Sequence, residues 1–501
     1  MLRDDVEHVE AWTPPIEGWR ALLMAAASGL LMVAVCLLIV IPSFYANLDS
    51  GGGEHVCPSP SVLPPLREAV PFDVQLNPVM AAKKLPKLQS FAWALDGSSG
   101  RWLLVGGRTG GLHGFQPNDS FPTAQQNRHF HVLDPGQGFA SWKLSVLDLP
   151  SVELADALQA TNALHMQDAD RLYVVGGYGY SRTQSGFVTH DLMISIDVPL
   201  AVRAVMAQNA TLLASAIRSV REPRLQLSGG GLQKLGGWYF AVLGAHFQGI
   251  YPAPNSSTAY SPTIKMFKVV DEPPSGLQVV QFQQLNATGN QVEQWHRRDL
   301  HVLPAVLPGG QEFGISVYGG VFTPSNSLPF LYPIAITMPD GAHVHVKTNY
   351  GYQQLFSQYE CATMVTYDNA TGSYMTTFFG GMGLSYVTDC NEIVQDIRTP
   401  FVNVVSTMTR LADGTMTERV HAKSFLPGLL GTNAAFVPLP DVPLLVGDVI
   451  DLARLKAFKT GRSTLVGHMY GGIVAEKPNF GSTDASDLVF AVYITKLGDD
   501  K

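Results

Sequence analysis

A short apolar run ending in glycine recurs six times along this chain of 501 residues. The copies are Trp102-Leu103-Leu104-Val105-Gly106-Gly107, Leu172-Tyr173-Val174-Val175-Gly176-Gly177 and a degenerate Tyr239-Phe240-Ala241-Val242-Leu243-Gly244. Ile315-Ser316-Val317-Tyr318-Gly319-Gly320, Thr377-Phe378-Phe379-Gly380-Gly381 and His468-Met469-Tyr470-Gly471-Gly472 complete the set. Neighbouring copies stand roughly 60 to 90 residues apart, the mark of a repeat architecture. Units of this kind bury their faces on one another, so the repeat fixes the fold class before any chemistry is considered.

Each repeat reads as four strands. The first offers Leu88 to Leu95, Trp102 to Val105, His129 to Leu133 and Trp142 to Leu147. The fourth offers Leu300 to Leu307, Phe313 to Tyr318, Phe330 to Thr337 and His343 to Lys347. Asp96-Gly97, Asp134-Pro135 and Pro308-Gly309-Gly310 supply the turns between them. The glycines fall where the chain turns sharply near a crowded centre, and glycine accepts positive φ and close backbone approach without strain. The last repeat lacks a fourth strand, while Phe72 to Leu76 is a strand with no repeat of its own. This N-terminal strand is expected to pair with Leu488 to Thr495 and close the ring, leaving no long exposed edge.

Four-stranded units with a glycine pair after the second strand resemble kelch repeats. The likeness covers about 430 residues and implies an all-β, six-bladed β-propeller. The chain is most similar to a group of uncharacterised, exported bacterial kelch-like proteins. That similarity rests on Gly106-Gly107-Arg108-Thr109 with Gly111-Leu112-His113-Gly114-Phe115, on Val175-Gly176-Gly177-Tyr178-Gly179-Tyr180, on His296-Arg297-Arg298-Asp299 and on Phe378-Phe379-Gly380-Gly381-Met382. The group carries no activity across to this chain.

The segment from Ala21 to Ile41 holds no charge and is long enough for a helix to cross a bilayer. Phe44 and Tyr45 follow it as interface anchors, and Arg3 and Arg20 precede it, which places the N-terminus in the cytoplasm. The expected organisation is a cytoplasmic tail over 1–20, a signal-anchor helix over 21–45, a Pro- and Gly-rich stalk over 46–68 and a propeller over 69–498. The propeller would then be periplasmic or extracellular. Asn118-Asp119-Ser120, Asn209-Ala210-Thr211, Asn255-Ser256-Ser257, Asn286-Ala287-Thr288 and Asn369-Ala370-Thr371 match the N-glycosylation acceptor pattern. Net charge is −8, with no basic block, so nucleic acid is not an expected partner. Outside the apolar segment, Cys361 and Cys390 are expected to form a disulfide, leaving Cys57 free to link two chains.

In a propeller the inner-strand starts and the loops after the second strands share one face. That face should gather Gln89-Ser90, Thr161-Asn162, Ser228-Gly229-Gly230, Arg297-Arg298-Asp299, Tyr359-Glu360 and Thr432-Asn433. Arg108, His113, Tyr178, Tyr180, Arg182, His246 and Tyr386 join them from the loops. Arg108, Asn162, Arg182, Arg297, Arg298, Glu360 and Asn433 are the candidate ligand-binding residues. Arginine forks suit a small anion, and tyrosine faces suit a glycan. The same His296 to Asp299 run would equally serve as ion pairs locking the ring. His129 with His131, and His343 with His345, share strand faces but lack a third ligand, so no metal or cofactor is expected. Cys361 beside Tyr359 lacks the histidines of a copper oxidase site. The first functional reading is a membrane-anchored module that binds a protein partner or a glycan. The alternatives are an enzyme acting on an acidic sugar through Arg298 and Glu360, and an accessory subunit of a membrane complex.

Overall fold

The computed structural model describes residues 63–497, apart from 67–68, 82–83, 115–119, 274 and 457–459. The tail, the apolar segment 21–45, Cys57 and Asn118 lie outside the described residues. No described helix is long and apolar enough to cross a membrane. The described chain is all-β and built of small antiparallel sheets, consistent with a β-propeller.

Six of these sheets follow the sequence repeat. The first is Ala92–Asp96, Arg101–Val105, His129–Asp134 and Ala140–Ser145. Innermost strands of the next five begin at Leu164, Gly231, Arg298, Ala362 and Leu429. The sixth sheet takes its fourth strand from the other end of the chain. Phe72–Pro78 pairs antiparallel with Val489–Lys496, Phe72 opposite Lys496 and Leu76 opposite Val492. The expected closure is therefore present, in register.

The apolar runs are continuous because each second strand is buried on both faces. Trp102 and Leu104 pack toward Tyr470 and Val437 of the sixth sheet, while Leu103 and Val105 pack toward Leu172 and Val174 of the second. The same alternation joins second to third, third to fourth, fourth to fifth and fifth to sixth sheets. The packing thus returns to its start.

A ring of six residues, joined by backbone hydrogen bonds at five of its six steps, lies at the centre. Ser90, Asn162, Gly229, Asp299 and Glu360 lie at or just before the starts of innermost strands, Asn433 lies within Leu429–Pro438 beyond its bulge, and all six have φ between 47° and 66°. Ser90 N donates to Asn433 O at 3.1 Å, Asn162 N to Ser90 O at 3.4 Å and Gly229 N to Asn162 O at 2.8 Å. Asp299 N donates to Gly229 O at 2.6 Å, and Asn433 N to Glu360 O at 2.5 Å. Five of the six residues are not glycine, so the left-handed backbone is imposed by these shared bonds against a steric preference.

The glycine pairs have a packing reason as well as a backbone one. A Cβ on Gly380 would stand 1.9 Å from Leu430 O, and one on Gly176 would stand 2.1 Å from Leu227 O. In the degenerate copy Leu243 keeps the left-handed conformation, at φ 59°.

Several features go beyond the expected four-strand units. Helices Val198–Met206 and Ala210–Ser215 are inserted in the second repeat; the first packs on the first sheet and the second on the first helix and the strand Ile217–Arg221. The loops after the glycines of the second and third repeats form a sheet of their own: Tyr178–Ser181, Gly186–Thr189, Ala245–Gln248 and Ser257–Tyr260. Ser385–Val387 and Ile393–Gln395 form a hairpin in the fifth. Packing also begins earlier than residue 69, since Leu63 lies against Phe356, Val402 and Tyr386.

Candidate functional site

Four ring residues, Asn162, Asp299, Glu360 and Asn433, line a cavity of about 310 Å³. Their placement follows from the ring: left-handed backbone at each of these positions turns the side chains toward the common centre. Asn162 Nδ2 donates to both oxygens of Glu360, at 2.9 Å each, and reaches Asp299 Oδ1 at 3.4 Å. One amide nitrogen thus holds the two carboxyls side by side. Burial first, and the Asp299 charge second, push the Glu360 carboxyl well above its ordinary value. Burial raises Asp299 too, against the pull of Arg298. Two buried carboxyls bonded to one amide nitrogen resist ionising together, and the upward push falls more heavily on Glu360, because Arg298 pairs with Asp299.

Arg298 sets that order. Its guanidinium pairs with Asp299 at 3.3 Å and donates to Tyr251 Oη at 3.0 Å. Phe247, Tyr251, Tyr260 and Phe322 surround it, with ring centroids 5.1 to 5.5 Å away. Burial alone would lower its pKa, but Asp299 and the tyrosines raise it, so Arg298 stays charged. Arg108 is held differently. It lies 4.6 Å over the Phe121 ring and donates through one terminal nitrogen to Gln125 Oε1 at 2.9 Å. Desolvation lowers its pKa to about 10, so it too remains a cation at neutral pH.

Among the described residues three buried polar atoms around this cavity have no hydrogen-bond partner: Arg108 Nε, Thr432 Oγ1 and Asn433 Oδ1. Such atoms are costly when left unmet. Asn433 spends its amide nitrogen on Gln89 Oε1 at 3.0 Å and Ser90 Oγ at 2.5 Å, which leaves its buried oxygen unmet. Tyr178, Phe247, Tyr251 and Phe322 supply aromatic walls above the polar floor. A second cavity of about 260 Å³ shares Asn162 and Glu360 with the first, so the two meet at that contact. None of the unpartnered side chains lines it.

Of the candidate ligand-binding residues, Arg108, Asn162, Arg298, Glu360 and Asn433 come together here. Arg182 does not: it pairs with Asp156 at 2.6 Å on the outer side of the second repeat. Arg297 does not line the cavity either. Its side chain is fully buried, donates to Gln294 O, Gln294 Oε1, Gly319 O and Tyr332 O, and lies 4.4 Å over Phe330. One residue along an extended backbone reverses the side chain, so adjacent Arg297 and Arg298 face apart. Among the loop residues His113 and Tyr178 reach the cavity, while Tyr180, His246 and Tyr386 do not. Asp299 was expected only as a counter-charge, and Phe121, Phe247, Tyr251 and Phe322 were not foreseen. Their loops carry no repeat signal.

The expected disulfide between Cys361 and Cys390 is absent. Cys361 is a free, buried thiol, 3.8 Å from His301 Nε2 and from Gln358 O, and burial pushes it up to about 12. It opens the innermost strand directly beneath Gly381, whereas Cys390 sits at the tip of the fifth-repeat hairpin and is disulfide-bonded elsewhere. Among the described residues no three His, Cys, Asp or Glu side chains are grouped to hold a metal. His131 Nε2 lies 3.1 Å from Asn127 Oδ1, and exposed His343 pairs with Asp340.

No protein-family model matches this chain, and no curated protein does. Among solved structures, one entitled "Structure of YjhT" is similar to it at 10% identity and a TM-score of 0.44. The likeness spans 82% of this chain and 99% of that one.

Proposed function

We propose that the six sheets are the blades of a kelch-like propeller closed by Phe72–Pro78, and that its funnel binds a small glycan. The observation that carries this reading is the set of unmet atoms, Arg108 Nε, Thr432 Oγ1 and Asn433 Oδ1, gathered at one cavity beside a carboxyl pair. A sugar presents an acceptor for the arginine, hydroxyl donors for the two oxygens and an apolar ring face for the aromatic walls. The cavity is at the small end of the usual ligand range, about 300 to 1,000 Å³, which suits one or two sugar rings. Arg298 is neutralised by Asp299, whereas among the described residues no carboxylate pairs with Arg108. A ligand with one negative charge is therefore favoured over a neutral one. The apolar segment 21–45 would hold the propeller outside the cytoplasm.

The test is a thermal-shift comparison of glucuronate and galacturonate with their neutral parent sugars. The acids should raise the melting temperature of the wild type, and Arg108→Gln should abolish the difference between acid and neutral sugar. Equal, zero response to every sugar would point instead to a protein partner.

A second reading, catalysis on the bound sugar, is favoured by one observation: Asn162 Nδ2 holds Asp299 and Glu360 side by side. Glycosidase carboxyls stand about 5 to 9.5 Å apart to admit a nucleophilic attack or a water. A pair held by one amide suits proton exchange between two oxygens of one sugar ring, with Glu360 as acid and Asp299 as base. Anomer exchange followed by saturation-transfer NMR should be accelerated by the wild type and not by Glu360→Gln; no acceleration would leave binding alone.

A further inference from the structure

We propose that Asn209, Asn255, Asn286 and Asn369 are attachment sites for N-linked glycans. The inference rests on the extracytoplasmic placement given above and goes beyond it. Each begins an Asn-x-Ser/Thr triplet, and the structure adds what the triplets alone do not carry. All four asparagines are exposed, and so are their partner hydroxyl residues Thr211, Ser257, Thr288 and Thr371. Asn209 caps the helix Ala210–Ser215, Asn255 lies in the loop before Ser257–Tyr260, Asn286 ends a strand, and Asn369 lies in the turn between Ala362–Asp368 and Ser373–Met382.

The atom that would be modified is spared in each case. Asn209 uses Oδ1 to accept from Leu212 N at 2.9 Å, and Asn286 uses Oδ1 to accept from Gln284 Nε2 at 2.7 Å. Neither spends its Nδ2, so a sugar on that nitrogen leaves the cap and the strand end intact. The disulfide at Cys390 belongs to the same oxidising compartment. Attachment requires a lipid diphosphate-linked oligosaccharide as co-substrate. Asparagine Nδ2 bonds to C1 of its first sugar, the C1–O bond to phosphate breaks, the lipid diphosphate leaves with the bonding pair, and the amide gives up one proton. Asn255 is four residues from the cavity-lining Tyr251, so a glycan there would stand at the funnel rim.

The experiment uses the full chain isolated from its own membranes. Peptide-N-glycosidase treatment followed by peptide mass spectrometry should convert these asparagines to aspartate. Thr211→Ala, Ser257→Ala, Thr288→Ala and Thr371→Ala should each remove one conversion without changing the melting temperature. Surface biotinylation of intact cells is read in parallel. An accessible propeller with four unmodified peptides would overturn the glycan inference alone. A propeller that is inaccessible to the label and unmodified would overturn the placement as well.

Discussion

Glu360 is where burial, hydrogen bonding and charge meet. Its raised pKa means that the folded protein binds a proton that the unfolded chain releases at the ordinary glutamate value of 4.5. Stability contributed by this group is therefore lost as pH rises through the window above that value. Glu360→Gln keeps a hydrogen-bonding side chain without an ionisable proton. It should raise the melting temperature at alkaline pH and leave it nearly unchanged at acid pH, as calorimetry at several pH values would show. Two arginines make a sharper comparison. Arg297 satisfies four carbonyl or amide oxygens in the interior, so Arg297→Met should cost about 3 kcal/mol or more in denaturant unfolding. Arg108 leaves Nε unmet, so Arg108→Gln should change stability little and affect ligand response instead. At the sequence level Arg297 and its neighbour Arg298 were indistinguishable, and only the pleat direction separates a peg in the core from a group in the cavity.

The strand of each repeat that ends in glycine was the most legible element. Burial on both faces demands an unbroken apolar run, and the approach of the next repeat demands the glycines. Gly380→Ala places a methyl against Leu430 O in a left-handed backbone. It should destabilise the fold by about 3 kcal/mol or more, measured as a lowered denaturation midpoint with an unchanged slope. Outer strands were placed less well: Trp142 to Leu147 is observed as Ala140–Ser145, and Phe330 to Thr337 as Ile334–Thr337. They are exposed on one side, so their composition is looser. The aromatic sheet over the funnel was invisible for a different reason. Its strands are four residues each and pair across two repeats, and Tyr178 and Phe247 carry no mark of the wall they build.

Closure governs the molecule as a whole. The N-terminal strand is tied to the fifth sheet as well as the sixth. Asp73 Oδ1 lies 3.0 Å from His421 Nδ1, His421 Nε2 lies 2.8 Å from Thr407 Oγ1, and Ser424 Oγ donates to Val74 O. Burial raises the Asp73 carboxyl, but the bonds and charge of His421 outweigh it and leave the net value below 3.8. The stability Asp73 adds is thus present above pH 3.8 and is lost as pH falls through its depressed value. Asp73→Asn should remove this acid-side dependence of the melting temperature. Phe72 is fully buried in the closing strand, and Phe72→Ala should cost about 3 to 5 kcal/mol. The ring and five of the seven candidate side chains could be read from the repeat, because repetition places inner-strand starts together. The coupling of the two carboxyls could not, since it depends on residues 61 positions apart in the chain that meet at one amide nitrogen across the ring. Infrared difference spectroscopy at neutral pH, wild type minus Glu360→Gln, tests that meeting most directly. The account requires a protonated carboxyl band in the wild type that the variant lacks. A difference showing only an ionised carboxylate would mean that Asp299 and Glu360 ionise together in this funnel.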